Sequence, residues 1–165
     1  MAEGMKKIAV LGAGNMGAAL IGGILKTGVA GREQLLATTR SQEHAQEIAA
    51  RFGIEVTAGG NRAAAEFGDI VVLAVKPTTL SIVMGEIRDV LHEGQILLSL
   101  AASVPIAQIE KLAGKKMAVF RAMPNIPVLV EEGATAVACN AHATLADRER
   151  VEGIFRAVGV VCFVV

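Results

Sequence analysis

Ile8-Ala9-Val10-Leu11-Gly12-Ala13-Gly14-Asn15-Met16-Gly17 decides the fold: four apolar residues run straight into a GxGxxG spacing, which in turn opens a helical run from Met16 to Thr27. The spacing means little alone, because a glycine-rich chain produces it by chance. Its position after a predicted strand and before a predicted helix gives it content. Each glycine has its own task there. Gly12 permits the tight turn, Gly14 lets the backbone approach a pyrophosphate, and Gly17 lets the helix pack close to the strand. The pyrophosphate then meets the free amides and positive end of that helix. The same region mimics a signal peptide or membrane span, since Ile8 to Leu25 carries no charge and follows Lys6-Lys7. Asn15 and the glycines, including Gly22 and Gly23, argue against that, and the first three would break a spanning helix near its start.

Outward from this stretch, short apolar runs alternate with longer amphipathic ones. Leu35 to Thr39 reads as a second strand, followed by a helix from an N-cap at Ser41 through Phe52, closed by Gly53. Ile54 to Val56 is a short third strand, and Ala63 to Phe67 a short helix. Ile70 to Val75, bounded by Asp69 and Pro77, is fully apolar, as a strand buried on both faces should be. A helix over Leu80 to Leu91 and a strand over Ile96 to Leu100 follow, then a helix over Ile106 to Leu112 and a strand over Met117 to Phe120. Beyond Arg121 the spacing predicts a loop bracketed by Pro124 and Pro127, a strand at Ala134 to Cys139 and a helix over Leu145 to Val158. Strands alternating with helices imply an α/β, Rossmann-like, doubly wound and mainly parallel sheet with helices on both faces. Residues 1–165 form one such domain, with 1–5 as a flexible extension. The terminal run Val160-Val161-Cys162-Phe163-Val164-Val165 reads as a strand buried in the sheet of a chain cut from something longer.

Composition narrows the function. Sixteen Lys and Arg balance 16 Asp and Glu, Trp and Tyr are absent, and only five Phe occur, so the usual marks of nucleic-acid binding are missing. Apolar residues at 53% and charged residues at 19% exclude a disordered chain. Cys139 and Cys162 lie in apolar runs without a CxxC, as in a reduced cytoplasmic protein, and no metal site is expected.

The second strand selects the nucleotide. An NAD site places Asp or Glu at its end to accept from the ribose 2′-hydroxyl. Here the chain reads Thr38-Thr39-Arg40-Ser41, with hydroxyls and a guanidinium suited to a 2′-phosphate and no carboxylate to repel one. NADP is therefore expected, with NADPH preferred over NADH. A solvated Arg40 is the bland alternative.

With these residues in view, the chain resembles the N-terminal domain of pyrroline-5-carboxylate reductases from Lys7 to Val165. The likeness is carried by the glycine loop, Leu73-Ala74-Val75-Lys76-Pro77, Ser99-Leu100-Ala101-Ala102, Arg121-Ala122-Met123-Pro124-Asn125-Ile126-Pro127 and Glu132-Gly133-Ala134-Thr135. The chain has Ile126 where the family usually has Thr, so no hydroxyl role carries over there. The resemblance implies hydride transfer from NAD(P)H to the C=N carbon of 1-pyrroline-5-carboxylate, giving L-proline. It puts Gly12, Ala13, Gly14, Asn15, Met16 and Gly17 on the pyrophosphate, and Thr39, Arg40 and Ser41 around the adenosine ribose or its 2′-phosphate. Asn61, Val75, Lys76, Pro77 and Ala102 would line the rest of the cofactor, with Met123 and Asn125 near the nicotinamide end. It also implies a second, helical domain, absent here, that builds a homo-oligomer and supplies much of the substrate-carboxylate site.

Each assignment has a plainer counterpart. Lys76 reads equally as a solvated loop residue, Pro77 as a helix start, Asn61 as an N-cap and Asn125 as turn chemistry. His44, His92 and His142 read as solvated surface. No residue in the chain stands out as a general acid, so the catalytic group stays unassigned, and the chain alone is expected to bind cofactor with little turnover. Two competing readings remain: a deazaflavin-dependent NADP oxidoreductase, against which Met123-Pro124-Asn125 argues, and a non-catalytic NADP-binding module.

Overall fold

Period-two alternation distributes the strand side chains between two cores, and the helices follow from that division. In the computed structural model, which describes residues 6–125 and 133–164, Ile8, Val10, Ile70, Val72, Ile96, Leu98 and Phe120 share one core. Ala9, Leu11, Val71, Leu73, Leu97 and Val119 point into the other. A strand covered on both faces has no polar side, which is why these runs are apolar throughout.

The elements in chain order are β1 (Ile8–Leu11), α1 (Asn15–Thr27), β2 (Leu35–Thr39), α2 (Gln42–Phe52), β3 (Glu55–Ala58), α3 (Asn61–Phe67) and β4 (Ile70–Leu73). They continue with α4 (Pro77–Ile87), β5 (Ile96–Ser99), α5 (Ile106–Ala113), β6 (Ala118–Pro124), β7 (Gly133–Cys139), α6 (Leu145–Arg156) and β8 (Gly159–Phe163). One eight-stranded sheet runs β3-β2-β1-β4-β5-β6-β7-β8, parallel at every step except the antiparallel β6–β7 pair. Leu20, Ile21 and Ile24 of α1, Ile48 of α2 and Val151, Ile154 and Phe155 of α6 fill the first core. Ala64 and Ala65 of α3, Leu80, Val83, Met84 and Ile87 of α4 and Ile109 of α5 fill the second. The expected mainly parallel, doubly wound α/β sheet is what forms.

Local signals act as their chemistry demands. Gly28 and Gly53 close α1 and α2 in the left-handed conformation, and the Ser41 hydroxyl caps α2 by accepting from the His44 amide. No helix of the described residues is long and apolar enough to cross a membrane. The uncharged stretch that mimicked a span is instead a strand, a turn and a 13-residue helix.

Some boundaries move. β3 lies later than the apolar run suggested, because Thr57 and Ala58 pair with Thr38 and Thr39. α4 begins at Pro77, where proline's fixed φ and missing amide suit the first helical position. β6 continues past the expected end at Phe120, through Arg121 to Pro124, and the loop expected between Pro124 and Pro127 falls largely outside the described residues. β5 ends opposite Arg121 at Ser99, so the rest of β6 has one unpaired side and tolerates the proline. β8 is a correction: it lies at the sheet edge rather than inside it, with Val160 70% and Val164 43% exposed. The readings at residues 1–5, Ile126, Pro127, Glu132 and Val165 fall outside the described residues.

Candidate functional site

A cleft of about 350 Å³ opens at the carboxyl ends of β1, β2 and β4. The sheet order reverses here: β1 is flanked by β2 on one side and β4 on the other, and ligands of open α/β sheets bind in that crevice. Its walls are the turns that follow those strands.

The turn after β1 is fixed by its own backbone. Gly12 adopts φ +77°, and a Cβ there would lie 2.4 Å from Val75 Cγ1, so any side chain at this position is strained. The Gly12 amide donates to Thr38 Oγ1 at 3.0 Å, the Ala13 amide to the Thr38 carbonyl at 2.7 Å, and the Gly14 amide to the Gly12 carbonyl at 2.8 Å. Gly14, the N-cap of α1, is extended and exposed, with nothing within 4 Å of where a Cβ would stand. Gly17 is buried, its Cβ position 3.2 Å from Val10 Cγ1 and 3.4 Å from Ala74 Cβ, which is the close helix–strand contact expected of it. The first intrahelical bond runs from the Ala18 amide to the Gly14 carbonyl at 2.9 Å. The amides of Asn15, Met16 and Gly17 therefore have no intrahelical acceptor, and no side chain caps the helix.

The turn after β2 supplies the second wall. Its hydroxyls are less available than the sequence implied. Thr38 Oγ1, already accepting from Gly12, donates to Asn61 Oδ1 at 2.6 Å, and Thr39 Oγ1 donates to the Ser41 carbonyl at 2.8 Å. That leaves the Ser41 hydroxyl proton and the exposed Arg40 guanidinium, which makes no hydrogen bond or ion pair among the described residues. Asn61 is the first residue of α3 and not its N-cap, a position held by Gly60. Its side chain links Thr38 to Glu86, the latter at 3.4 Å. Ala74, Val75 and Lys76 after β4 form the third wall, with Thr79 and Val83 of α4 behind them.

Of the residues singled out from sequence, the cleft brings together Gly12, Ala13, Gly14, Thr39, Arg40, Ser41, Asn61, Val75 and Lys76. Asn15, Met16 and Gly17 lie in the adjoining first turn of α1, and Pro77 opens α4. Ala102 follows β5, whereas Met123 lies on β6 and Asn125 just after it. The Asn125 amide and side chain both engage Ala134, extending the β6–β7 pairing rather than making a free turn. β6 stands three strands from β1, roughly 14 Å across the sheet, so these positions do not wall the same crevice.

Sequence reasoning counted Thr38 among the hydroxyls suited to a 2′-phosphate, and missed His44, Ala74, Thr79 and Val83 as cleft residues. His44 is a correction. Its side chain is 41% exposed but not merely solvated: its Nε2 lies 2.9 Å from the Ala13 carbonyl, a contact across 31 positions that no spacing announces.

The walls carry Arg40, Lys76 and His44 and no Asp or Glu. With open backbone at Gly14 and the acceptor-free first turn of α1, they fit an anionic dinucleotide.

The chain is similar to known reductases. The family described as NADP oxidoreductase, coenzyme F420-dependent, matches residues 7–103. The pyrroline-5-carboxylate reductase of Pseudomonas aeruginosa is 37% identical over 154 residues, covering 93% of this chain and 56% of that protein. The Escherichia coli enzyme of the same name is 36% identical, covering 93% of this chain and 57% of that protein. Among solved structures, a pyrroline-5-carboxylate reductase from Coxiella burnetii superposes with a TM-score of 0.93 at 34% identity, over 98% of this chain and 60% of that one. A Plasmodium falciparum pyrroline carboxylate reductase with NADP bound gives 0.86 at 27% identity, over 98% and 59%. The chain thus spans little more than half the length of the curated relatives it matches.

Proposed function

The chain belongs to the NADP oxidoreductase, coenzyme F420-dependent, family, and from that premise we propose that it is the cofactor-binding domain of a reductase that converts 1-pyrroline-5-carboxylate to L-proline with NAD(P)H. The observation that carries the reading is the cleft at the sheet's reversal point, walled by basic and neutral groups without a carboxylate. The first-turn amides of α1 hold the pyrophosphate, and the open backbone of Gly14 lets it come close. Arg40 and the Ser41 hydroxyl hold the 2′-phosphate, which makes NADPH the preferred form. Asn61, Val75 and Lys76 line the nucleotide, and Pro77 sets the start of the helix behind them. Ala102, Met123 and Asn125 lie toward the nicotinamide end.

A bound reduced nicotinamide supplies hydride. The chain's own part is to bind and orient, since effective molarity accounts for much of such a step. No general acid is assigned, and an imine of this type takes its proton readily from water. The rest of the relatives' length has no counterpart in these 165 residues, so the chain alone binds cofactor and turns over little substrate. The whole protein is a cytoplasmic homo-oligomer in the same proposal, in keeping with two free thiols at Cys139 and Cys162.

The test is a titration with NADPH and with NADH, followed by nicotinamide fluorescence against a protein that has no Trp or Tyr. Tighter NADPH binding is expected. Arg40→Ala should weaken NADPH by tenfold or more, the factor for about 1.5 kcal/mol in one charge-assisted hydrogen bond, and leave NADH unchanged. Equal affinity for the two nucleotides in the wild type, or no effect of Arg40→Ala, sinks the 2′-phosphate site. Rapid proline formation by the 165-residue chain sinks the half-enzyme reading. The family's own description favours one second reading, a deazaflavin-dependent oxidoreductase. NADP reduction by reduced deazaflavin, with no turnover of 1-pyrroline-5-carboxylate when the gene's whole reading frame is expressed, would establish it instead.

A further inference from the structure

We propose that His44 is a positioning residue of the cleft: its imidazole ties the loop that meets the pyrophosphate to the corner that meets the ribose phosphate. The proposal rests on the cofactor reading above and adds a residue to it. His44 lies in the first turn of α2, where its amide donates to the Ser41 hydroxyl at 3.1 Å. A carbonyl oxygen only accepts, so at 2.9 Å from the Ala13 carbonyl the imidazole donates from Nε2. The ring's other nitrogen is 3.3 Å from Glu47 Oε2, one turn along the same helix.

The consequence lies in how the loop is held. The Ala13 amide is bound to Thr38 of β2 and its carbonyl to His44 of α2, so the residue between Gly12 and Gly14 is clamped from both sides. Gly12 and Gly14 already spend their amides on Thr38 Oγ1 and the Gly12 carbonyl. Without the imidazole the remaining hydrogen bond from Ala13 to the rest of the fold is on the β2 side alone. The spacing between α1's first turn and the Arg40–Ser41 corner, which one extended ligand must span, is then no longer fixed.

Two ligands separate this role from a general one in folding. NADPH spans both ends of the cleft, whereas 2′-AMP carries the ribose phosphate but no pyrophosphate. His44→Leu removes the donor, and His44→Gln keeps an N–H near the position of Nε2. NADPH binding by fluorescence, 2′-AMP by its displacement of NADPH, and thermal melting would be measured on the full 165-residue chain. His44→Leu should bind NADPH roughly fivefold more weakly, the factor for one ordinary hydrogen bond, with 2′-AMP affinity unchanged. His44→Gln should lie close to wild type. Unchanged NADPH affinity in His44→Leu, an equal loss for both ligands, or a Gln variant as weak as the Leu variant overturns the proposal alone. Failure of the wild-type chain to bind NADPH overturns the cofactor reading and this proposal with it.

Discussion

One methyl group placed at two neighbouring glycines should have opposite consequences. At Gly14 the backbone is extended (φ −94°, ψ −150°), a region open to any residue, and nothing stands within 4 Å of the new Cβ. Alanine is a poorer N-cap than glycine by several tenths of a kcal/mol, but it also restricts the unfolded chain by about 0.4–1 kcal/mol. The net change in stability should stay within about 0.5 kcal/mol. The methyl instead occupies space at the head of α1, where a pyrophosphate would approach the free amides. Overpacking there costs about 1–3 kcal/mol, or roughly 5- to 150-fold in NADPH affinity. At Gly12 the same group meets Val75 Cγ1 at 2.4 Å with the backbone at φ +77°. A left-handed alanine costs about 1–2 kcal/mol and the clash about 1–3 more, together a large share of a typical 5–15 kcal/mol stability. Urea denaturation and NADPH titration of Gly14→Ala and Gly12→Ala read the two effects separately. A Gly14→Ala chain that binds NADPH like wild type would refute the claim that ligand meets backbone there. A Gly12→Ala chain as stable as wild type would refute the packing argument.

Thr38→Val keeps the shape of a residue only 1% exposed but leaves the Gly12 amide without its acceptor, and should cost about 1–3 kcal/mol in urea denaturation as well as weaken NADPH binding. Phe155→Ala, at a fully buried position of the first core, should destabilise by about 3–5 kcal/mol, whereas Val160→Ala, 70% exposed on the sheet edge, should stay within about 0.5 kcal/mol in the same assay. The hydrogen bond from Arg62 holds the Asp89 carboxyl below its ordinary pKa. A depressed carboxylate adds stability above its unfolded value and loses it as pH falls through the folded one, so Asp89→Asn should flatten the acid side of the stability–pH curve slightly. Both partners are exposed, and a large acid-side change would contradict that placement.

The glycine loop, the capped helix after β2 and the apolar runs were legible because each depends on near neighbours in sequence. Gly12, Gly17 and Gly28 announce turns and close packing, Ser41 announces a helix start, and continuous apolar runs announce buried strands. β3 and β6 were misjudged because pairing set their limits: Thr57 and Ala58 extend along β2, and β6 runs on beside β7 past the end of β5. β8 looked like a buried strand, yet its apolarity could not say that it would lie outermost, since an edge and a centre differ only in what pairs beyond them.

The candidate site divides the same way. The sequence by itself determined the loop, the absence of an acid after β2 and the presence of Arg40, because these are properties of residue type and spacing. Only the tertiary structure decided that the Thr38 and Thr39 hydroxyls are occupied with holding loops, that Asn61 joins the cleft through Thr38, and that His44 reaches back to Ala13. Hydrogen-bond partners that distant are chosen by the register of the sheet and the packing of the helices on it. A side chain's chemistry is written in the sequence, but whether that chemistry is free for a ligand depends on which neighbour the fold brings to it.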